Sequence, residues 1–194
     1  MGRKDKVFFD SSAQAWNVPE KNIRIADEVI ERLNIKPDEK VIDVGCGTGV
    51  LYDLLTERDV MHYVGIDSSE NMLKVFAERF PLATLVCVDF EGEISHIQGE
   101  NDYCIIFNVV PHFENLLRVF MNANELLKTG GQLVMVHCRT REELKAHHKA
   151  INYTSAKEEP IPLDDELKEL CRKTGFEIKM IEDEKYFYFE CVKI

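Results

Sequence analysis

From about residue 20 onward the chain alternates short apolar runs with amphipathic stretches. Ile25, Val29, Ile30 and Leu33 recur at helical spacing and predict a helix over 20–34 that stops before Pro37. Lys40 to Val44 is a run suited to a strand buried on both faces of a parallel sheet. A helix over 50–58 follows, then a second strand from His62 to Asp67. Ser68-Ser69-Glu70 offers an N-cap for a helix with Met72, Val75 and Phe76 on one side. Ala83 to Val88 and Asp102 to Asn108 read as the third and fourth strands, and Glu114 to Leu127 as a helix. Gly130-Gly131 predicts a turn before a fifth strand, Gln132 to Cys138. Helices are expected over 140–150 and 163–174, the second capped by Asp164 or Asp165 and stopped at Gly175. Phe176 to Ile181 and Lys185 to Ile194 flank Glu182-Asp183-Glu184, the pattern of a hairpin. Strands alternating with helices and closing on a hairpin specify an α/β sandwich.

The first strand breaks into Gly45-Cys46-Gly47-Thr48-Gly49. Glycines at alternate positions allow a tight turn and let the backbone lie close against a ligand. Asp67, about twenty residues after the glycine turn, sits at the tip of the next strand, where an acid is placed to hold two ribose hydroxyls. It is also placed to cap the helix that begins at Ser68. Dinucleotide sites use the spacing G-x-G-x-x-G to seat a pyrophosphate. Here the spacing is G-x-G-x-G after Asp43, an acid that would repel a pyrophosphate and attract an ammonium. The ligand expected is a nucleoside with a cationic end, and an NAD-dependent oxidoreductase is disfavoured.

Val41 to Gly49 resembles the glycine-rich motif of the class I S-adenosylmethionine-dependent methyltransferases, [V/I/L]-[L/I]-D-[V/L/I]-G-[C/T/S]-G-[T/S]-G. The resemblance implies a Rossmann-like three-layer sandwich with a seven-stranded sheet, order 3-2-1-4-5-7-6, the last strand antiparallel. It implies S-adenosyl-L-methionine as cofactor and S-adenosyl-L-homocysteine as product. Asp43, Gly45, Cys46, Gly47, Gly49, Asp67 and Ser68 then form one part of the cofactor site. Asp89 would receive the adenine amino group with Phe90 near the ring, and backbone at Asn108 would hold the methionine end. Asp89 alternatively reads as a turn acid, and Phe90 as a core residue. Phe9, Ala13 and Trp16 are similar to an N-terminal pattern of small-molecule methyltransferases of the ubiquinone/menaquinone type. There the segment caps cofactor and acceptor; a hydrophobic clasp on the core fits these residues equally.

The acceptor is less legible. The chain has Asn108-Val109-Val110-Pro111-His112-Phe113 after strand four and lacks the [N/D/S]-P-P-[Y/F] motif of amino-group methylases. His112, His137, Arg139 and His147 are the candidate catalytic residues on the acceptor side. Imidazole titrates near neutrality and suits removal of a proton from a phenol or thiol. The alternatives are a core histidine satisfied by backbone for His137 and a surface residue for His112. Arg139 or Arg141 would hold an acceptor anion or pair with Glu142. His137 to His148 resembles a segment of short methyltransferases of anaerobes, which fixes no substrate; one related activity is O-methylation of a hydroxylated heteroaromatic such as hydroxybenzimidazole.

Composition narrows the partners. At 194 residues the chain suits a single domain, 1–194, with an N-terminal helical cap over 1–36 and a lid segment over 139–163 after strand five. A net charge of −11 argues against a nucleic-acid partner. No stretch has the length for a membrane span or signal peptide. The six cysteines show no C-x-x-C pair, so neither a disulfide framework nor a zinc site is expected, and no metal is assigned. The expectation is a cytoplasmic monomer or homodimer acting on a small-molecule acceptor. Its rival is a non-catalytic cofactor-binding sensor or partner subunit on the same fold.

Overall fold

The computed structural model describes residues 3–151, 153 and 159–194, with the side chains of 3–6 left aside. In it, β1 (Lys40–Val44), β2 (His62–Asp67), β3 (Thr84–Cys87), β4 (Asn101–Phe107), β5 (Leu127–His137), β6 (Phe176–Asp183) and β7 (Phe187–Lys193) form one seven-stranded sheet. Their order is β3-β2-β1-β4-β5-β7-β6, as the glycine motif's resemblance implies. β1 pairs in parallel with β2 and β4, while β7 runs antiparallel to both β5 and β6. The order reverses between β1 and β4, the position where open α/β sheets bind ligands beyond their strand ends.

Helices cover both faces because successive strand residues point to opposite sides. Val41 packs with Leu51, Leu55 and Phe76 on the side of α2 (Glu20–Leu33), α3 (Val50–Thr56) and α4 (Glu70–Arg79). Ile42 and Val44 face the other way, toward Val119 and Phe120 of α5 (Leu116–Leu126). α6 (Arg141–Ala150) and α7 (Asp164–Thr174) contribute Leu144 and Leu167 to the same side. An N-terminal helix, α1 (Arg3–Ser12), and a 3-10 turn at Ala13–Ala15 pack on α4.

Two local features depart from the pattern. Gly130, at φ 81, and Gly131 lie inside β5: Leu127 pairs with Asn101 and Gln132 with Tyr103, so the glycines form an irregular step within the strand. α7 is entered through Leu163 with no side-chain cap, and Asp164 and Asp165 occupy its first turn. Asp164 is instead bonded by Arg141 Nη2 at 2.8 Å. Gly175 does end α7, in the left-handed region at φ 74. The expected lid falls partly on residues 152 and 154–158, which lie outside the described residues.

Candidate active site

The glycine turn is built by backbone geometry at three positions. Gly45 (φ 73), Gly47 (φ 52) and Gly49 (φ 94) all lie in the left-handed region. A Cβ on Gly45 would collide with the Val109 side chain, so the turn nestles against the loop after β4. A Cβ on Gly47 would meet nothing within 4 Å. Gly45 and Cys46 donate their N–H groups to the Ile66 carbonyl at 2.7 and 3.1 Å, fastening the turn to β2.

Asp67 ties the same two elements together from its side chain. Its Oδ2 accepts the Gly47 N–H at 2.9 Å and its Oδ1 accepts the Ser69 N–H at 2.8 Å. Burial raises the Asp67 pKa, opposed by the N–H groups of Ser69, Gly47 and Ser68. A carboxylate has about four acceptor positions, so Asp67 keeps acceptor capacity beyond these for a ligand hydroxyl. The helix cap is held by Ser69, whose Oγ accepts from the Met72 N–H at 3.1 Å.

Asn108 closes the opposite wall. Its left-handed backbone (φ 61) is permitted by a short polar side chain. Its Oδ1 accepts the Cys138 N–H at 2.7 Å, its Nδ2 faces Cys138 Sγ at 3.1 Å, and its N–H reaches the Val136 carbonyl at 2.8 Å. The side chain is thus committed to clamping the ends of β4 and β5.

These elements surround an open cavity with about 910 Å³ of empty space, its mouth and adjoining solvent included. Among its walls are Gly45, Cys46, Gly47, Asp67, Ser68, Asp89, Phe90 and Asn108, with Phe9, Trp16, Val18, Pro19, Asn22 and His112. Asp89 and Phe90 follow β3, where Asp89 Oδ1 accepts the Glu91 N–H at 3.1 Å and the Phe90 carbonyl accepts Asn122 Nδ2 at 2.6 Å. α1 reaches the cavity through Phe9 and is tethered by Asp10, whose Oδ1 accepts Ser69 Oγ–H at 2.6 Å and whose carbonyl accepts Asn71 Nδ2 at 3.0 Å. The Phe9 ring meets His112 edge-on at 5.0 Å.

Several expected residues stand elsewhere. Asp43 is buried and does not line the cavity; its Oδ2 accepts the Tyr63 hydroxyl at 2.7 Å. Burial pushes its pKa up to about 7, against the lowering effect of that hydrogen bond. Gly49 is not a wall residue either; it opens α3 and lies where a Cβ would press on Phe76. His137 is buried at the end of β5, its Nδ1 accepting the Arg139 N–H at 3.1 Å, and burial pushes its pKa down to about 4. The core alternative weighed for His137 is therefore the arrangement seen.

Arg139 and His147 are absent from the described cavity walls. On α6, burial and then the neighbouring His147 lower the pKa of His148, with smaller effects from His112 and Arg139. Arg141 bonds the Pro162 carbonyl, Asp164 and Asp183 rather than Glu142. Among the described residues no group of three or more His, Cys, Asp or Glu is placed to hold a metal ion, and no helix is long and apolar enough to cross a membrane. Asn22, Val18 and Pro19 carry no sequence signal for the site, since each reads as part of the approach to an amphipathic helix.

Comparison with known proteins agrees with this fold. A family profile described as a methyltransferase domain matches residues 18–180. Phosphoethanolamine N-methyltransferase 1 of Arabidopsis thaliana is 32% identical over 118 residues, covering 58% of this chain and 24% of that protein. The chain thus spans about a quarter of the length of that relative. A putative S-adenosyl-L-methionine-dependent methyltransferase from Methanococcus maripaludis superposes with a TM-score of 0.69 at 20% identity, covering 98% of this chain and 92% of the other. Magnesium protoporphyrin IX methyltransferase from Synechocystis PCC 6803, solved with bound S-adenosylhomocysteine, gives 0.68 at 17% identity and covers 92% and 89%.

Proposed function

The chain belongs to the methyltransferase-domain family, with the fold of the class I S-adenosylmethionine-dependent enzymes, and from that premise we propose that it methylates a small molecule at O, N or S. The observation that carries the proposal is the joint placement of Gly47 and Asp67 on one cavity wall, bonded to each other at 2.9 Å. The open space at the Gly47 Cα and the accepting carboxylate of Asp67 fit a nucleoside ribose. Asp89 and Phe90 fit an adenine, and backbone at Asn108 fits the amino-acid end. S-adenosylmethionine, when bound, supplies a methyl group on a sulfonium, an electrophile strong enough that alignment accounts for much of the rate.

The protein's own part is to orient and to exclude water. The turn of 45–49 and the Asn108 clamp fix the cofactor wall, and Phe9 covers the cavity beside His112. With S-adenosylmethionine bound, the acceptor would take the methyl group as the sulfur–carbon bond broke and S-adenosylhomocysteine left, and His112, in the cavity wall, would accept the proton released from the acceptor's O–H, N–H or S–H. His137, held neutral by burial and bonded to the Arg139 backbone away from the cavity walls, does not serve as the base. O-methylation of a hydroxylated heteroaromatic such as hydroxybenzimidazole is the finer reading. The test is transfer of labelled methyl from S-adenosylmethionine to a panel of hydroxy, amino and thiol compounds. Transfer to any of them supports the reading; tight cofactor binding without transfer to any points to a sensor or partner subunit.

A further inference from the structure

Beside the cofactor cavity lies a second pocket that the methyltransferase reading leaves unused. Ile25 and Tyr186, both buried, line it, and Lys21, Arg24 and Lys185 stand around it with Glu20 and Glu28. The two pockets share the first turn of α2: Lys21 lines this one, and the next residue, Asn22, lines the cofactor cavity. Arg139 is held at the junction. Its carbonyl accepts the N–H of Phe187, the neighbour of Tyr186, at 3.3 Å, and the preceding Cys138 is bonded to Asn108 of the cavity wall at 2.7 Å. Burial pushes the Cys138 thiol up to about 11, opposed by its bond with Asn108 and then by the charges of Lys21 and Arg139, so both cations act at this junction.

The acids nearby are already engaged. Arg24 pairs with Glu20, and the Tyr186 hydroxyl donates to Glu28 at 3.1 Å. On the terminal hairpin, Glu182 pairs with Arg32 and Asp183 with Arg141. Among the described residues Lys21, Arg139 and Lys185 have no ion pair with an acid, in a chain whose net charge is −11. The cofactor-side acid Asp67 ends β2, and Arg139 follows β5, three strands away in the sheet. That is roughly 14 Å at about 4.8 Å per strand, beyond the Debye length of about 8 Å. The acidic end of the site thus leaves the basic end free to attract an anion.

We propose that Lys21, Arg139 and Lys185 form an anion-binding site at the second pocket, which holds a phosphate or carboxylate carried by the methyl acceptor while the acceptor's reacting O–H, N–H or S–H lies at His112. A guanidinium offers an oxyanion two parallel N–H donors, and the ammonium groups add charge. The Arg139 backbone is fixed on both sides, its N–H donating to His137 Nδ1 at 3.1 Å and its carbonyl accepting from Phe187, so its side chain starts from a rigid point. Binding at a remote group keeps the reacting atom in line with the methyl carbon. This deepens the methyltransferase reading and rests on it, narrowing the acceptor to a molecule with a neutral reacting end and an anionic far end.

In the test, the full chain is saturated with S-adenosylhomocysteine and titrated by calorimetry. The probes are phenyl phosphate beside phenol, phosphoethanolamine beside ethanolamine, hydroxybenzoate beside hydroxybenzyl alcohol, and inorganic phosphate alone. At least one anionic compound should bind saturably, about ten-fold or more tighter than its neutral counterpart, and should weaken as salt is raised. Arg139→Gln, and separately Lys21→Gln with Lys185→Gln, should each remove about ten-fold of that affinity, and Arg139→Lys should recover part of it. S-adenosylhomocysteine affinity should stay within about two-fold in every variant, and melting temperatures near the parent's. A ten-fold or so loss of S-adenosylhomocysteine affinity in Arg139→Gln would assign these cations to the cofactor's own carboxylate. Inorganic phosphate binding as tightly as the esters would assign them to free phosphate. Either result overturns the proposal, as does equal binding of anionic and neutral counterparts, or no saturable binding of any anion. Failure of S-adenosylhomocysteine itself to bind the parent instead overturns the methyltransferase reading.

Discussion

The Gly47 N–H donates to Asp67 Oδ2 at 2.9 Å, so the turn after β1 and the acid after β2 form one rigid wall. This bond explains why the two motifs, twenty residues apart in the chain, act as a unit. It also predicts different consequences for neighbouring glycines.

Gly45→Ala places a methyl against Val109 in a left-handed backbone and should lower the melting temperature sharply. Gly47→Ala meets no protein atom, so its stability loss should be limited to the left-handed strain, on the order of 1 kcal/mol. Its affinity for S-adenosylhomocysteine should nonetheless fall, because the added carbon occupies ligand space. Thermal melts paired with ligand titrations separate the two effects. Unchanged S-adenosylhomocysteine affinity in Gly47→Ala would refute the assignment of Gly47 to ligand contact.

Asp43 gives a pH signature. Its folded pKa of about 7 lies above the ordinary carboxylate value near 4, so the native state binds the proton more tightly than the unfolded chain. The stability contributed by this group is complete below about pH 4 and is lost as the pH rises toward 7. Asp43→Asn removes that dependence while keeping an acceptor for Tyr63. The unfolding free energy of Asp43→Asn relative to the parent should climb between pH 4 and 7 and level off above, with a gain on the order of a few kcal/mol, read from denaturant melts at each pH. A difference that is flat with pH would show that Asp43 is charged and satisfied in the native state.

His112 and His137 separate in the pH dependence of turnover. His137 is neutral down to about pH 4, so it contributes no titration between pH 5 and 8. His112→Gln should lower kcat about 10²-fold or more if proton removal limits the rate, and should abolish the acidic limb of kcat/KM. His137→Asn should retain that limb, with any loss expressed in kcat alone. Disappearance of the limb in His137→Asn would transfer the base role to His137.

Much of the frame was legible because local and global signals coincide. The bounds of β1 and β2 follow directly from apolar runs ended by glycine and by Asp67. Ser69 caps α4 and Gly175 stops α7 through chemistry that is visible in the chain. The pattern fails where a contact is long-range. Nothing near Asp43 announces that Tyr63 will meet its carboxylate, and an acid inside a strand reads as a ligand contact until that partner is seen. Asp164 looked like a cap but serves Arg141, whose guanidinium also stacks at 4.8 Å over Phe187. The cavity side formed by Phe9, Trp16, Val18, Pro19 and Asn22 was the least legible part, since it is assembled from α1, the turn after it and the start of α2.

The central claim is that the wall formed by the glycine turn and Asp67 binds an adenosine carrying an amino-acid tail. Calorimetric titration with S-adenosylhomocysteine, alongside NAD and an Asp67→Ala variant, tests it most directly. One-to-one binding of S-adenosylhomocysteine, none of NAD, and a loss of ten-fold or more (about 1–3 kcal/mol for charged hydrogen bonds) in Asp67→Ala are the predicted results. Binding of NAD in preference, or S-adenosylhomocysteine affinity unchanged in Asp67→Ala, would contradict it.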